Sequence, residues 1–199
     1  MDAPYLAALE KLVLDCAPFG IEALRHRFET FETTHGPCDA IPMSEPRQLR
    51  NQRLLALYVW TLEAEYHRAR LQQLLESSFA IWVYRGGGEC SCSRHEELDG
   101  LAVPSDHPFW LDYYPPNGWW CSCYVAGTRS AAGVVRLKGD PTKALPTWAD
   151  PTVRASGPAI GIEDGFVGRR APDFAARIEA LASLPIGSNV ARPVHRASR

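Results

Sequence analysis

The strongest constraint on the fold is one uninterrupted segment, residues 45–79, which contains no glycine and, after Pro46, no proline. Its apolar residues recur at helical spacing and charged residues occupy the positions between them, which is the pattern of an amphipathic helix. Its leucine stripe comprises Leu54, Leu57, Leu62, Leu71, Leu74 and Leu75. Pro46 suits a first helical turn, where its missing N–H has no partner to lose. The segment therefore predicts a long helix that serves as a structural spine with a solvated, mixed-charge face.

Weaker patterns predict the remaining elements. Apolar residues at helical spacing predict two N-terminal helices, and a run of β-branched and aromatic residues predicts a strand that leads into three glycines. The predicted elements are helices at 3–16 and 18–32, a loop at 35–46, strands at 79–85 and 124–127, and a last helix at 173–184. Proline and glycine between these last two elements predict an extended arm.

The predicted fold class is α+β and mainly α. N-terminal helices, one of them long, precede a small irregular lobe of strands and loops, which a metal could pin, and an extended C-terminal arm with a short helix follows. The predicted regions are 1–46, a helical region; 47–126, the long helix and the Cys- and aromatic-rich lobe; and 127–199, the arm, short helix and basic tail.

Composition limits the classes of partner. The chain has 199 residues, of which 46% are hydrophobic, and a net charge of −2, so no overall positive field draws it to nucleic acid. It holds no apolar run of the roughly 18 residues that cross a bilayer and no signal-peptide pattern at its start. We expect a soluble protein made in a cytoplasm, with no membrane partner and no small-molecule substrate.

Four of the six cysteines form two Cys-Ser-Cys patterns, at 90–92 and 121–123, while Cys16 and Cys38 stand apart. Closely spaced pairs of soft ligands suit zinc, because a tight turn aims two side chains at one point. The candidate ligands are Cys92, His95, Cys121 and Cys123, with Cys90 as a fifth candidate and His107 as a further substitute. Four protein ligands leave no position for water, so such a site would stabilise the fold and would not catalyse a reaction.

The cysteine spacing leaves three alternatives open. The thiols could stay reduced without a metal, a disulfide could form after assembly or on oxidation, or four cysteines could hold an iron–sulfur cluster. Nothing else in the sequence indicates electron transfer.

The stretch between the histidine and the second cysteine pair is rich in rings and prolines. Its large apolar area is expected either to pack onto the long helix as a small core or to form a patch for a partner protein. Pro104, Pro108, Pro115 and Pro116 predict an absence of helix there. Asn117-Gly118 and Asp99-Gly100 predict chain reversals that serve as scaffold.

Residues 93–125 resemble the C-terminal signature of the phage Mu F-like head morphogenesis family, the minor head proteins of tailed phages and prophages. The shared elements are His95, Leu98-Asp99-Gly100, Asp106 to Trp110, Pro115 to Trp119, and Cys121 with Cys123. A weaker likeness extends to the helix that carries Arg50 and Asn51 and to residues 162–172.

The resemblance implies a virion structural protein in the head or neck region that acts in head morphogenesis. It implies contacts with portal protein, major capsid protein or other virion proteins, and genomic DNA is a further candidate partner. The alternative is a small zinc-binding adaptor that touches nucleic acid through Arg85, Arg94, Arg169, Arg170 and the tail arginines. An enzyme built on Cys92, His95 and Glu96 or Asp99 is disfavoured, because a cysteine among other cysteines is a poor isolated nucleophile.

Overall fold

The computed structural model describes residues 1–86, 93–153, 157, 159–163, 166 and 174–183. These residues confirm the mixed helical and β fold class. The helices are α1 (Ala3–Cys16), α2 (Ile21–His35), α3 (Arg47–Glu76), α4 (Ser93–Leu98), α5 (Phe109–Tyr113), α6 (Ala131–Arg136) and α7 (Phe174–Ser183). The strands are β1 (Ile81–Arg85), β2 (Ala102–Pro104) and β3 (Tyr124–Thr128).

Among the described residues, the first of two compact units consists of residues 1–62 and 174–183. Helix α1 begins at a side-chain cap, where Asp2 Oδ1 accepts a hydrogen bond of 3.0 Å from the Tyr5 N–H. Helices α1 and α2 pack together, and α7, whose Ile178 and Leu181 are buried, packs against α1. The core of this unit is therefore built from the apolar faces of helices.

The second unit comprises the described residues between 63 and 166 and contains an antiparallel sheet in the order β2-β1-β3. One buried cluster fills its core and combines the sheet with the proline-bounded stretch and with Leu74 of α3. Its rings are Trp82, Tyr84, Phe109, Trp110, Tyr113 and Tyr114. The prediction that the aromatic stretch packs as a small core is confirmed for Phe109, Trp110, Tyr113 and Tyr114. Trp119 and Trp120 of the same stretch are only partly buried.

The long helix and the first strand lie where the sequence predicts them. The prediction that the prolines exclude a helix is wrong, because α5 begins directly after Pro108. Proline has a backbone angle that suits a helix start, so it blocks the interior of a helix and not its beginning. Helix α6, whose Ser130 hydroxyl accepts a hydrogen bond from the Gly133 N–H at 3.1 Å, lies in the predicted arm, and β2 was not predicted.

The predicted region boundaries follow composition, whereas the two compact units follow packing. Helix α3 contributes residues to both units, and the C-terminal helix belongs with the N-terminal helices. The basic tail, residues 191–199, lies outside the described residues. None of the helices in the described part of the chain is both long and apolar enough to cross a bilayer.

Candidate metal centre

One edge of the sheet in the second unit brings a histidine and a cysteine pair together. Strands β1 and β3 are antiparallel with Arg85 opposite Tyr124, so the end of β1 lies beside the beginning of β3. Cys121 and Cys123 come directly before β3, and α4, which carries His95, is the next described element after β1. Antiparallel pairing therefore places both segments near the same edge.

Three potential metal ligands gather at this edge. One ring nitrogen of His95 and the sulfur atoms of Cys121 and Cys123 all lie within 4.8 Å of one another. The three residues are only 2%, 5% and 1% exposed. Zinc bonds of about 2.3 Å to sulfur and about 2.0 Å to nitrogen would place tetrahedral ligand atoms roughly 3.5–3.8 Å apart. Small side-chain rotations would therefore bring these three atoms onto one ion.

The hydrogen bonding of His95 fits a metal ligand. Its Nε2 lies 2.8 Å from the carbonyl oxygen of Gly161. Because a carbonyl oxygen only accepts, Nε2 carries the hydrogen, and in the neutral ring the lone pair then belongs to Nδ1. A backbone carbonyl that fixes the second ring nitrogen is the usual support of a metal-binding histidine. Two thiols and one imidazole favour zinc or another soft ion over calcium and magnesium.

A buried tyrosine and a buried asparagine support the cysteines. Asn117 Nδ2 donates hydrogen bonds of 3.0 Å to the Tyr84 hydroxyl oxygen and to the Tyr113 carbonyl oxygen. Burial, and then the neighbouring thiols of Cys123 and Cys121, raise the pKa of Tyr84 well above its ordinary value. The phenol thus remains neutral and keeps a proton that it can donate beside the sulfur atoms.

Residues 161–163, which accept the hydrogen bond from His95 through the Gly161 carbonyl, also make hydrogen bonds to the turn before the cysteines. The Glu163 N–H donates to the Asn117 carbonyl oxygen at 3.0 Å, and a Glu163 carboxylate oxygen accepts from the Trp119 N–H at 2.9 Å. Gly118 makes room for this carboxylate, because a Cβ atom there would lie 2.7 Å from Cδ of Glu163. Residues 161–163 are therefore joined to both ligand-bearing segments.

An ion pair fixes the end of β1, where the chain enters the cysteine-rich segment. Arg85 Nε donates to Asp99 Oδ1 at 2.9 Å, and the same oxygen accepts from the Gly86 N–H at 2.7 Å. Arg85 Nη1 also donates to the carbonyl oxygens of Leu137 and Lys138, at 2.6 and 2.8 Å. Asp99 thus acts as a structural anchor that binds Arg85 and the Gly86 N–H.

The remaining predicted ligands divide into two groups. Cys90 and Cys92 lie outside the described residues, so the candidate set of five ligands stays a prediction. His107 is absent from the group of three ligands found among the described residues, and its Nδ1 accepts a hydrogen bond of 3.1 Å from the Phe109 N–H at the start of α5. The His107 side chain therefore accepts a hydrogen bond from the first turn of α5 in this structure.

Two arginines of the nucleic-acid alternative have intramolecular partners. Arg85 binds Asp99 and two backbone carbonyls, as described above. The Arg94 guanidinium lies 5.2 Å from the ring centre of Trp148 and 3.4 Å from a carboxylate oxygen of Glu97. Arg169 and Arg170 lie outside the described residues. Nucleic acid would therefore compete with contacts inside the protein for both described arginines.

Comparison with known proteins finds a similar protein in a bacteriophage. The chain is 27% identical over 99 residues, 48% of its length, to the putative capsid assembly protein F of Escherichia phage Mu. It spans about a fifth of that protein, 21% of its length. No protein-family model matches the chain, and no solved structure matches it. The comparison therefore supports a relationship to a phage head-assembly protein.

The sequence interpretation missed three parts of the centre. Tyr84 reads as an ordinary residue of a buried strand, and Gly161 acts through its backbone, which leaves no sequence signal. Asn117 was interpreted only as a turn residue, although its side chain is fully buried. A buried asparagine must find hydrogen-bond partners, so its position between aromatic residues is the one signal that could have been used.

Proposed function

We propose that this chain is a structural protein that acts in head assembly of a tailed bacteriophage or prophage. The observation that carries the proposal is the 27% identity over 99 residues to a capsid assembly protein of phage Mu. The motifs at 93–125 lie in the same lobe as the candidate metal centre. In this proposal, the lobe is a rigid module that other virion proteins bind.

The finer assignment is a minor head protein that contacts portal protein or major capsid protein in the head or neck of the particle. It rests on the resemblance of residues 93–125 to the Mu F-like family. Because the chain spans about a fifth of the Mu protein, any activity of that whole protein is a separate question. Contact with genomic DNA belongs to the same proposal as a further candidate interaction.

The assembly role is tested in cells that produce particles from the genome encoding this chain. An epitope-tagged chain should copurify with procapsids or mature heads and should be recovered by cross-linking to portal or capsid protein. Quantitative mass spectrometry of purified particles measures both. A chain absent from procapsids and from mature particles would refute the virion assignment.

We further propose that His95, Cys121 and Cys123, with Cys90 or Cys92, hold a structural zinc ion. When bound, zinc would supply ligand-bond energy that is also folding energy. The three described ligands are almost fully buried, so a substrate could not reach them without local unfolding. Burial therefore supports a non-enzymatic role. Elemental analysis of the purified, reduced protein tests the presence of the ion.

A further inference from the structure

A polar groove in the first compact unit has features of a binding site that the metal centre does not explain. The groove lies between α2 and the first turns of α3 and has a volume of about 440 Å³. Its lining residues are Arg25, Arg47, Gln48, Asn51, Gln52 and Leu55. A smaller depression of about 260 Å³ shares Arg25, Arg47 and Asn51 with it. We call the larger depression the α2–α3 groove.

The two arginines of the groove have spare hydrogen-bond donors. Arg47 is exposed and makes no ion pair or side-chain hydrogen bond within the part of the chain that the structure describes. Arg25 binds the exposed carboxylate of Glu22 through Nη1, but its Nε is buried and has no acceptor among the described residues. Arg47 offers its donors to an incoming anion directly, and Arg25 would gain an acceptor for its buried Nε if its side chain rotated toward the groove.

Two neighbouring arginines have less exposed carboxylate partners than Arg25 has. Arg50 binds the carboxylate of Glu32, and Arg53 binds both carboxylate oxygens of Glu45 at distances of 2.9–3.1 Å. These acids are more buried than Glu22, whose side chain is 78% exposed. Arg50 Nε, like Arg25 Nε, is buried without an acceptor among the described residues, so the difference lies in the carboxylates. Those of Arg50 and Arg53 are mostly buried, that of Arg25 is exposed, and Arg47 has none among the described residues.

The groove also carries an acceptor that needs a donor. Gln52 Oε1 is buried and has no hydrogen-bond partner among the described residues. The phosphate backbone of duplex DNA presents acceptors only, so it would leave this oxygen unpaired.

We propose that the α2–α3 groove binds an acidic polypeptide segment of a partner protein, with a carboxylate between Arg25 and Arg47 and a peptide N–H at Gln52. A polypeptide combines the anion, the N–H donor and apolar carbon for Leu55 in one ligand. The proposal does not depend on the metal ion. It also goes beyond the assembly role, because the partner is defined by its chemistry.

The test uses the full chain and fluorescein-labelled hexaglutamate in a polarisation assay at about 0.15 M salt. Hexaglutamate should bind, and hexaglutamine should not. Glutarate, which has carboxylates but no peptide N–H, should compete at least tenfold less well. The Arg25→Gln/Arg47→Gln variant should weaken hexaglutamate binding about tenfold or more, because charge-assisted hydrogen bonds are lost.

The matched control is Arg136→Gln, which removes an exposed arginine from α6 of the other compact unit and should change affinity less than twofold. If the double variant unfolds, Arg47→Gln alone provides the test, because Arg47 has no partner to lose among the described residues. Three results would overturn the proposal: no binding of hexaglutamate to the folded chain, equal affinity for glutarate, or tighter binding of a short DNA duplex that the same variant abolishes.

Discussion

His95 and Gly161, separated by 66 positions in the sequence, are joined by a hydrogen bond of 2.8 Å between Nε2 and the backbone carbonyl oxygen. In the neutral ring the bond leaves the lone pair on Nδ1, the nitrogen that would bind the ion in the proposed centre. Together with the contacts of Glu163, it ties residues 161–163 to both ligand-bearing segments. A metal ion at this centre would therefore connect three distant parts of the second unit.

The first prediction concerns metal content. The purified, reduced chain should contain about one zinc ion, and Cys121→Ser should lose it together with several kcal/mol of the free energy of unfolding, because metal binding contributes to folding. Elemental analysis and chemical denaturation measure the two effects. Cys38→Ser, which changes a buried thiol of the other unit, should keep the ion. Wild-type protein that contains neither zinc nor iron would disprove the metal centre.

The second prediction concerns Asn117. Replacement by alanine removes the donor to the Tyr84 hydroxyl and to the Tyr113 carbonyl, so two buried groups lose a partner. The free energy of unfolding should fall by about 2–3 kcal/mol, and zinc affinity should fall about tenfold or more if Asn117 supports the ligands. Competition with a chelator of known affinity measures the latter.

Gln72→Ala is the matched control for Asn117→Ala. It removes an amide on an exposed face of α3, where Gln72 donates to Glu76 at 2.8 Å. Its effect on stability should stay within about 0.5 kcal/mol, and it should not alter zinc affinity. Equal effects of the two substitutions would show that the buried amide has no special role.

The third prediction concerns Asp99. Asp99→Ala removes the acceptor for Arg85 and for the Gly86 N–H, and should lower the free energy of unfolding by about 1–3 kcal/mol. Asp15→Ala breaks an exposed ion pair with Lys11, at 2.7 Å, and should cost less than about 1 kcal/mol. Thermal and urea denaturation provide the comparison. An Asp99 variant no less stable than the Asp15 variant would contradict the anchoring role.

The fourth prediction is a pH dependence from His67, which is 2% exposed. Burial lowers the pKa of His67 from 6.5 to about 4. Below about pH 6.5 His67 is protonated in the unfolded chain, whereas in the folded chain it stays neutral until about pH 4. The free energy of unfolding therefore falls across this window. Each unit of pKa difference corresponds to about 1.4 kcal/mol, so the total loss of stability is about 3 kcal/mol.

The His67 contribution is isolated by comparing urea denaturation of wild type and His67→Gln at about pH 7 and about pH 5. Burial raises the pKa of Glu63, whose carboxylate lies 3.7 Å from His67 Nε2, and this shift acts in the opposite direction in both proteins. His67→Gln should therefore lose less stability than wild type on acidification. His26→Gln, on an exposed position of α2, should behave as wild type. Parallel losses in wild type and His67→Gln would rule out a buried neutral histidine.

The sequence by itself determined the elements whose signal is local. Residues 47–76 have helical spacing, no glycine and no proline, so the long helix follows from side-chain periodicity alone. The run at 81–85 shows its strand character in the same way. The chemistry of the candidate ligands was also readable, because histidine and closely spaced cysteines are soft donors wherever they lie.

Only the tertiary structure decided which of those ligands meet. Pairing of β1 with β3 brings Cys121 and Cys123 toward α4, and the carbonyl of Gly161 orients His95 from a distant segment. The helix after Pro108 and the buried role of Asn117 likewise depend on packing against the aromatic core. Long-range pairing and burial are set by the free energy of the whole unit, and no short window of residues contains that information.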